Sequence, residues 1–386
     1  MALYLSDRRE WVHQSDIRSM SIECDRVGGV NLSQGVCDTE VPEVVMAKAA
    51  AAMRDGYNIY TRFDGLDELR KAIAAKVARF GGPVVDPERE VVVSAGATGA
   101  FYCACLALLN PGDEVIVFEP FYGYHVSTLV ATGAVPVYVS LFAPDWRFDP
   151  AHLERAVTGR TRGILVNTPA NPCGKVFTLT ELQVIADFAK AHDLFVFTDE
   201  IYEHFLYDGR THVSPATLPG MAERTITISG VSKTFSVTGW RVGYALCDAR
   251  FAETIGHFSD LVYVCAPAPL QIGVAAGLDT LSAEYYRDLS DTHQKKRDRI
   301  CAALSKVGLT PYVPQGAYYV LADISRLPGD SGKERAMHLL RQTGVACVPG
   351  GAFYQDGDDR GLARFCYAKK DCDLDRAVAA LESLDA

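Results

Sequence analysis

Short, nearly uninterrupted apolar runs recur through the first part of the chain, and each is followed by a turn and a stretch of helical periodicity. They are Val91–Ser94, Glu114–Phe118, Val135–Val139, Gly163–Val166, Leu194–Thr198, Thr225–Ser229 and Val242–Leu246. A strand packed on one face alternates apolar and polar residues, whereas a strand covered on both faces does not. The runs therefore predict an α/β fold with a mostly parallel sheet flanked by helices, and functional groups gathered at strand ends. Two helix-period segments, Pro42–Arg54 and Asp67–Ala78, precede the first run. From about Phe251 the pattern changes. The chain turns helical, remains so through Asp291–Val307, and gives short strands at Tyr318–Ala322, Ala346–Val348 and Ala363–Tyr367 before a last helix. That change predicts a second, smaller α+β domain, with a cleft between the two.

Composition narrows the partner. The chain has 386 residues, 48% hydrophobic and 22% charged, which excludes a disordered or fibrous protein and leaves room for a large core. Its net charge, 38 − 48 = −10, argues against a nucleic-acid groove or an anionic membrane surface and points to a small-molecule partner. No apolar stretch reaches the roughly 18 residues of a membrane span, and the segment Met1–Glu10 carries charges where a signal peptide would be apolar. A soluble, cytoplasmic protein is expected. The 11 cysteines are scattered, and Cys103 and Cys105 fall inside the apolar run Tyr102–Leu109, so reduced, buried thiols are expected rather than a metal site.

Several familiar signals fail. No Gly-x-Gly-x-x-Gly is present, Gly174-Lys175 lacks the hydroxyl residue of a phosphate-binding loop, and His192 and His204 have no His-Glu-x-x-His frame. Gly329-Asp330-Ser331-Gly332 reads as a turn. A different group of residues falls at successive strand ends: Asp199-Glu200-Ile201-Tyr202, and then Ser229-Gly230-Val231-Ser232-Lys233-Thr234, leading into Trp240-Arg241. Asp199 alone would read as a helix N-cap. Lys233, between a strand and a Gly-rich segment, has no polar face to sit on.

Together these residues resemble the lysine segment of the class I/II aminotransferases, the fold-type I enzymes that use pyridoxal 5′-phosphate. The resemblance covers most of the chain. It includes Asn31-Leu32-Ser33-Gln34-Gly35, Tyr57-Asn58-Ile59-Tyr60-Thr61, Gly96-Ala97-Thr98, Glu119-Pro120-Phe121-Tyr122, Asn167 to Phe177, Pro349 to Tyr354 and Arg364-Phe365-Cys366-Tyr367. The run from Asn167 is most similar to the kynurenine and methionine aminotransferase branch.

The resemblance implies a large cofactor domain over 41–275. Residues 1–40 and 276–386 would form a small domain whose N-terminal segment closes over the site. It implies that Lys233 forms an aldimine with the cofactor and then serves as the base, and that Asp199 holds the pyridine nitrogen protonated. Asn171 and Tyr202 would hydrogen-bond the ring oxygen, and Tyr122 would stack on the ring. Gly96, Ala97, Thr98, Ser232 and Arg241 would hold the phosphate, with Tyr60 reaching it from a neighbouring subunit of a homodimer. Arg364, with Gly35 and Asn171, would seat the substrate α-carboxylate.

The implied reaction moves an amino group from an L-α-amino acid to a 2-oxo acid. Tyr57, Tyr60, Phe63 and Tyr122 near the expected entrance favour an aromatic or long apolar side chain. A lyase, cyclase or oxidase acting on a modified amino acid is the alternative, because the same cofactor serves those reactions. A regulator without turnover is disfavoured by the intact Lys233, Asp199 and Arg364. Gly230 stands where many members carry a phosphate-binding serine, so either Ser229 or Ser232 is expected to substitute, or the phosphate to rely on Arg241 and Thr98. Ala170, Cys173 and Gly99 also depart from the commoner residues, so no specific substrate carries over from the kynurenine or methionine branch. The sequence leaves open the preferred amino acid, the acceptor, and whether Arg18, Arg62 or another charge in the N-terminal segment reads the side chain.

Overall fold

The computed structural model describes residues 16–384. The charge reading of Met1–Glu10 and the first fifteen residues of the expected small domain lie outside them. The strands in chain order are β1 (Val30–Asn31), β2 (Val91–Ser94), β3 (Glu114–Glu119), β4 (Val135–Ser140), β5 (Thr161–Asn167), β6 (Phe195–Asp199), β7 (Thr225–Gly230), β8 (Gly243–Leu246), β9 (Thr310–Tyr312), β10 (Tyr319–Asp323), β11 (Val345–Ala346), β12 (Val348–Pro349) and β13 (Leu362–Cys366).

Seven of them form the central sheet in the order β2-β8-β7-β6-β5-β3-β4, and these coincide with the seven apolar runs. Every residue of β2, β3, β7 and β8 is buried, whereas β4, at the sheet edge, is mostly part-exposed. Pairing is parallel except around β8, which runs antiparallel to β2 and β7. A parallel return needs a crossover long enough to carry the chain back to the starting edge, usually with a helix. Between β7 and β8 there is only a loop with one 3-10 turn, Thr238–Trp240, so β8 runs straight back. That loop carries Lys233 and Arg241. It lies at the same sheet end as the C-termini of β2, β5 and β6.

The smaller sheet, β12-β13-β10-β9, is antiparallel and is accompanied by the β1–β11 pair. Helices Ala283–Lys306, Gly332–Thr343 and Asp371–Glu382 pack around it. The first described helix, Asp16–Arg26, joins the same core through Met20 and Cys24, and Val30 pairs with Val345. The N-terminal segment is thereby tied to the C-terminal part of the chain. The expected strand Ala346–Val348 is split at Cys347, because β11 pairs with β1 whereas β12 pairs with β13. Ser331 N-caps helix Gly332–Thr343, accepting from the Glu334 amide, in agreement with the turn reading. All 11 cysteines are unpaired and Cys103 and Cys105 are buried. Among the described residues no helix is long and apolar enough to cross a membrane.

Two buried histidines make stability depend on pH. Burial pushes His293 down to about 4 from an ordinary 6.5, and His204 down to about 3, where the Lys76 charge adds to the effect. Their folded values lie below the unfolded one, so the unfolded chain takes up protons first and stability is lost as pH falls below about 6.5. The melting temperature is expected to decline from pH 6.5 to 4. His293→Phe should make that decline shallower, whatever its offset at neutral pH; an unchanged slope would remove His293 from the account.

Candidate active site

A cavity of about 630 Å³ opens at the sheet end just described. Gly35, Ala97, Thr98, Tyr122, Asn171, Asp199, Tyr202, Ser232, Lys233, Arg241 and Arg364 all line it. Gly96 lies immediately behind, and Tyr60 lies outside the cavity of its own chain, 79% exposed.

Lys233 follows β7 by three residues, and its Nζ lies 3.4 Å from the Gly35 carbonyl oxygen. Burial, assisted by the Arg241 charge, holds its amine below the ordinary lysine value. Asp199 closes β6. Its Oδ1 accepts from the Ile201 amide at 3.1 Å, the cap-like contact, while Oδ2 lies 2.8 Å from His125 Nε2. His125 sits in the first turn of helix Gly123–Thr132, buried between Phe101 and Tyr122. The Tyr122 ring stands edge-on to it, with centroids 5.2 Å apart at 89°, so one histidine braces both Tyr122 and Asp199.

Asn167, the last residue of β5, locks the neighbouring loops together. Its amide nitrogen donates to the Asp199 carbonyl at 3.0 Å, and its Oδ1 accepts from the Asn171 amide at 2.8 Å. Asn171 Oδ1 in turn accepts from Arg364 Nη1 at 2.8 Å, and Arg364 Nη2 donates to the Ser33 carbonyl at 2.6 Å. Arg364 is 1% exposed, stacks 4.4 Å over the Tyr319 ring, and has no carboxylate partner among the described residues. A buried cation without a counter-charge is costly unless an anion completes it. The Tyr202 and Tyr319 hydroxyls are 3.0 Å apart, and Tyr318 donates to the Gly35 carbonyl at 3.2 Å.

Helix Gly96–Leu108 begins at the cavity without a side-chain cap, so its first amides are free to meet an anion. Arg241 lies against the first of them. A Cβ on Gly96, whose φ is +73°, would sit 2.4 Å from an Arg241 guanidinium nitrogen. Arg241 itself donates only to the Thr238 carbonyl, at 3.0 Å, and has no acidic partner among the described residues. Of the two serines expected to replace a residue at 230, Ser232 lines the cavity. Ser229 faces away, its hydroxyl donating to Glu203 at 2.8 Å. Gly230 itself has no room to spare: an added Cβ would meet Gly243 Cα at 2.9 Å.

Among the cavity residues to which the sequence reading gave no role are His125, Asn167 and Tyr319. For His125 the one available signal is its place three residues after Tyr122 at a helix start, on the same face. The aromatic entrance expected from Tyr57, Tyr60, Phe63 and Tyr122 reduces to Tyr122. Phe63 packs on His257 with centroids 5.5 Å apart, and Tyr57 and Tyr60 are exposed outside the cavity.

An amine with a lowered proton affinity, a carboxylate across from it, an uncapped helix N-terminus beside an unpaired arginine, and hydroxyl and amide donors between them form a set that fits pyridoxal phosphate. The fold and these groups define a fold-type I pyridoxal-phosphate enzyme. Residues 27–381 match the family "Aminotransferase class I and II", and the chain belongs to it. Kynurenine–oxoglutarate transaminase 3 of Mus musculus is 37% identical over 377 residues, spanning 90% of this chain and 83% of its own. The N-succinyldiaminopimelate aminotransferase structure from Mycobacterium tuberculosis superposes with a TM-score of 0.95 at 37% identity, covering 99% and 100% of the two chains. The structure of YbdL from Escherichia coli, described with a methionine aminotransferase function, gives 0.95 at 30% identity, covering 99% and 100%. The protein is a pyridoxal-phosphate-dependent transaminase acting on amino acids.

Proposed function

We propose that Lys233 is the covalent and acid–base residue of this transaminase, with Asp199 at the cofactor ring nitrogen and Arg364 at the α-carboxylate of the amino acid. The observation that carries the proposal is the pairing, in one cavity, of a lysine amine held below its ordinary value with a buried arginine that has no counter-charge. Bound pyridoxal phosphate supplies an aldehyde for the covalent link and a ring that accepts the electron pair released at the substrate α-carbon. An amine of lowered proton affinity is free to take the α-proton near neutral pH, and Lys233 Nζ holds that proton between steps. Arg364, fixed by Asn171 and Ser33, orients the amino acid so that the α-hydrogen faces Lys233. Asn171 and Tyr202 hold the ring oxygen. Arg241, Ser232 and the amides of Gly96, Ala97 and Thr98 hold the phosphate. Tyr122, braced by His125, covers the ring face.

The finer organisation belongs to the same proposal. Residues 41–275 act as the cofactor body, and 276–386 with the N-terminal segment act as the part that closes over it. Tyr60 and Ile59, each 79% exposed, and Leu261, also 79%, fit a homodimer in which Tyr60 meets the neighbouring site. The unpaired thiols fit a reducing, cytoplasmic setting.

Incubation of the cofactor-loaded protein with a panel of amino acids and no acceptor tests the assignment. One equivalent of 2-oxo acid per site, with the cofactor recovered as its amine, is the expected result. Cofactor that remains the aldehyde while the amino acid is cleaved or cyclised would sink it.

His125 acts on the chemistry through Asp199. His125→Asn removes one hydrogen bond to a charged group, so kcat is expected to fall by about tenfold. KM for the amino acid should change little, because Arg364 is untouched. An equal rise in KM would instead mean that the cavity had collapsed.

A further inference from the structure

The charges lining the cavity do not balance. Three guanidinium cations line it, Arg18, Arg241 and Arg364, together with the Lys233 amine, against the single carboxylate of Asp199. On the roles proposed above, Lys233, Arg241 and Asp199 meet the cofactor and Arg364 meets the substrate α-carboxylate. Arg18 is left over, with no ion pair to any described residue. Arg62, the other N-terminal candidate, is occupied by Asp64 at 2.7 Å and does not line the cavity.

The surroundings of Arg18 say what it would read. It lies on helix Asp16–Arg26, which is anchored from the far side by buried Met20 and Cys24. Helical spacing puts Ile22 one turn after Arg18, and Ile17 and Ser21 on the adjoining row, and all four line the cavity. Val36 and Tyr124 extend that wall, and Ile22 and Tyr124 keep 43% and 47% of their surface exposed. An apolar wall with one unpaired guanidinium suits a ligand with an apolar stem and an anionic end.

We propose that Arg18 binds a carboxylate at the far end of the substrate side chain. The preferred donors and acceptors are then dicarboxylic: α-amino acids and 2-oxo acids whose methylene stem lies along Ile17, Ile22 and Tyr124. This rests on the transaminase roles assigned to Arg364 and Lys233. It differs from the expectation of an aromatic or long apolar side chain in adding an anionic end.

The test compares L-2-aminoadipate with L-norleucine, which keeps a chain of similar length but lacks the distal carboxylate. Both are run on the cofactor-loaded protein and on Arg18→Met, which retains the stem and drops the charge. Binding of adipate and of pentanoate is measured on both proteins by calorimetry, a readout independent of turnover. Arg18→Met is expected to lower kcat/KM for 2-aminoadipate by about tenfold, the modest end for a charged hydrogen bond near solvent, and to leave norleucine unchanged. Adipate binding should weaken by a similar factor, with pentanoate unaffected. A fall shared by both amino acids, or a 2-aminoadipate rate that does not move, overturns the proposal. Should 2-aminoadipate not be turned over by the unmodified protein while other amino acids of the panel are, the dicarboxylic preference fails and the transaminase roles stand; no turnover of any panel amino acid would sink those roles instead. As a second variant, Arg18→Glu should move preference from 2-aminoadipate toward L-lysine.

Discussion

Lys233→Ala is expected to lower the transamination rate by at least about 10⁴-fold, the upper end of what a positioned acid–base group contributes. The loss has two sources in one side chain. Without the amine there is no covalent link to the cofactor aldehyde, and no group in the cavity can take the α-proton in its place. His125 is committed to Asp199 at 2.8 Å, and the Tyr202 hydroxyl is held well above the ordinary tyrosine value by burial, with Tyr319 beside it. The variant should fold normally, because Lys233 Nζ makes one long contact, 3.4 Å to the Gly35 carbonyl, and removing it vacates space in an existing cavity. The visible band of lysine-bound cofactor should vanish while the melting temperature stays close to that of the parent. Added small primary amines should return part of the rate. Turnover that persists at the parental level would remove Lys233, and with it the proposed mechanism.

The parts legible in the sequence share a physical cause. Six of the seven central strands are covered on both faces and have no competing pattern, so their apolar runs stand out, and β4, part-exposed at the sheet edge, is apolar as well. Strands β1 and β9, of two and three residues, carry no period at all and exist only because partners hold them. Lys233 and Asp199 stand out as charged residues at the ends of buried strands, whereas Arg364, inside β13, enters through the family resemblance alone. His125 and Tyr319 are not legible, since their meaning lies in contacts 74 residues away to Asp199 and 117 away to Tyr202. Residue type alone does not separate Ser229 from Ser232, but their positions differ. Ser229 still belongs to β7, where its side chain points to the side of the sheet away from the cavity. Ser232 lies beyond the strand, in the loop that turns into the cavity. Aromatic residues are ambiguous for the converse reason: Phe63, packed on His257, and Tyr57 carry the same apolar signal as Tyr122 but lie outside the cavity of their own chain.

The sheet end that presents Asp199 to the cavity presents a second set of charges on its other side, and these bear on stability. Lys76 Nζ, on helix Asp67–Arg79, lies 2.5 Å from Glu203 Oε1 and 3.3 Å from the Tyr244 hydroxyl, and Ser229 donates to the same carboxylate. Burial alone would raise Glu203, but the Lys76 charge overrides it and brings the carboxyl down from 4.5 to about 2. At 1.36 kcal/mol per pH unit that difference corresponds to about 3 kcal/mol, present above pH 4.5 and lost as pH falls toward 2. Breaking the pair from one side leaves a buried, uncompensated charge, for which about 3–5 kcal/mol is the usual cost. The two single variants should differ within that range. In Lys76→Met the stranded Glu203 escapes by taking a proton, which caps the electrostatic penalty at pH 7 near 3 kcal/mol. In Glu203→Gln the stranded Lys76 must give up a proton across a wider interval, from 10.5 to 7, so the larger loss, near 5 kcal/mol, is expected there. The double variant should recover most of the stability, since no charge remains to be desolvated. Urea midpoints of the four proteins at pH 7 measure all three quantities. Additive losses in the double variant would mean that Lys76 and Glu203 stabilise the fold through separate contacts rather than as a pair.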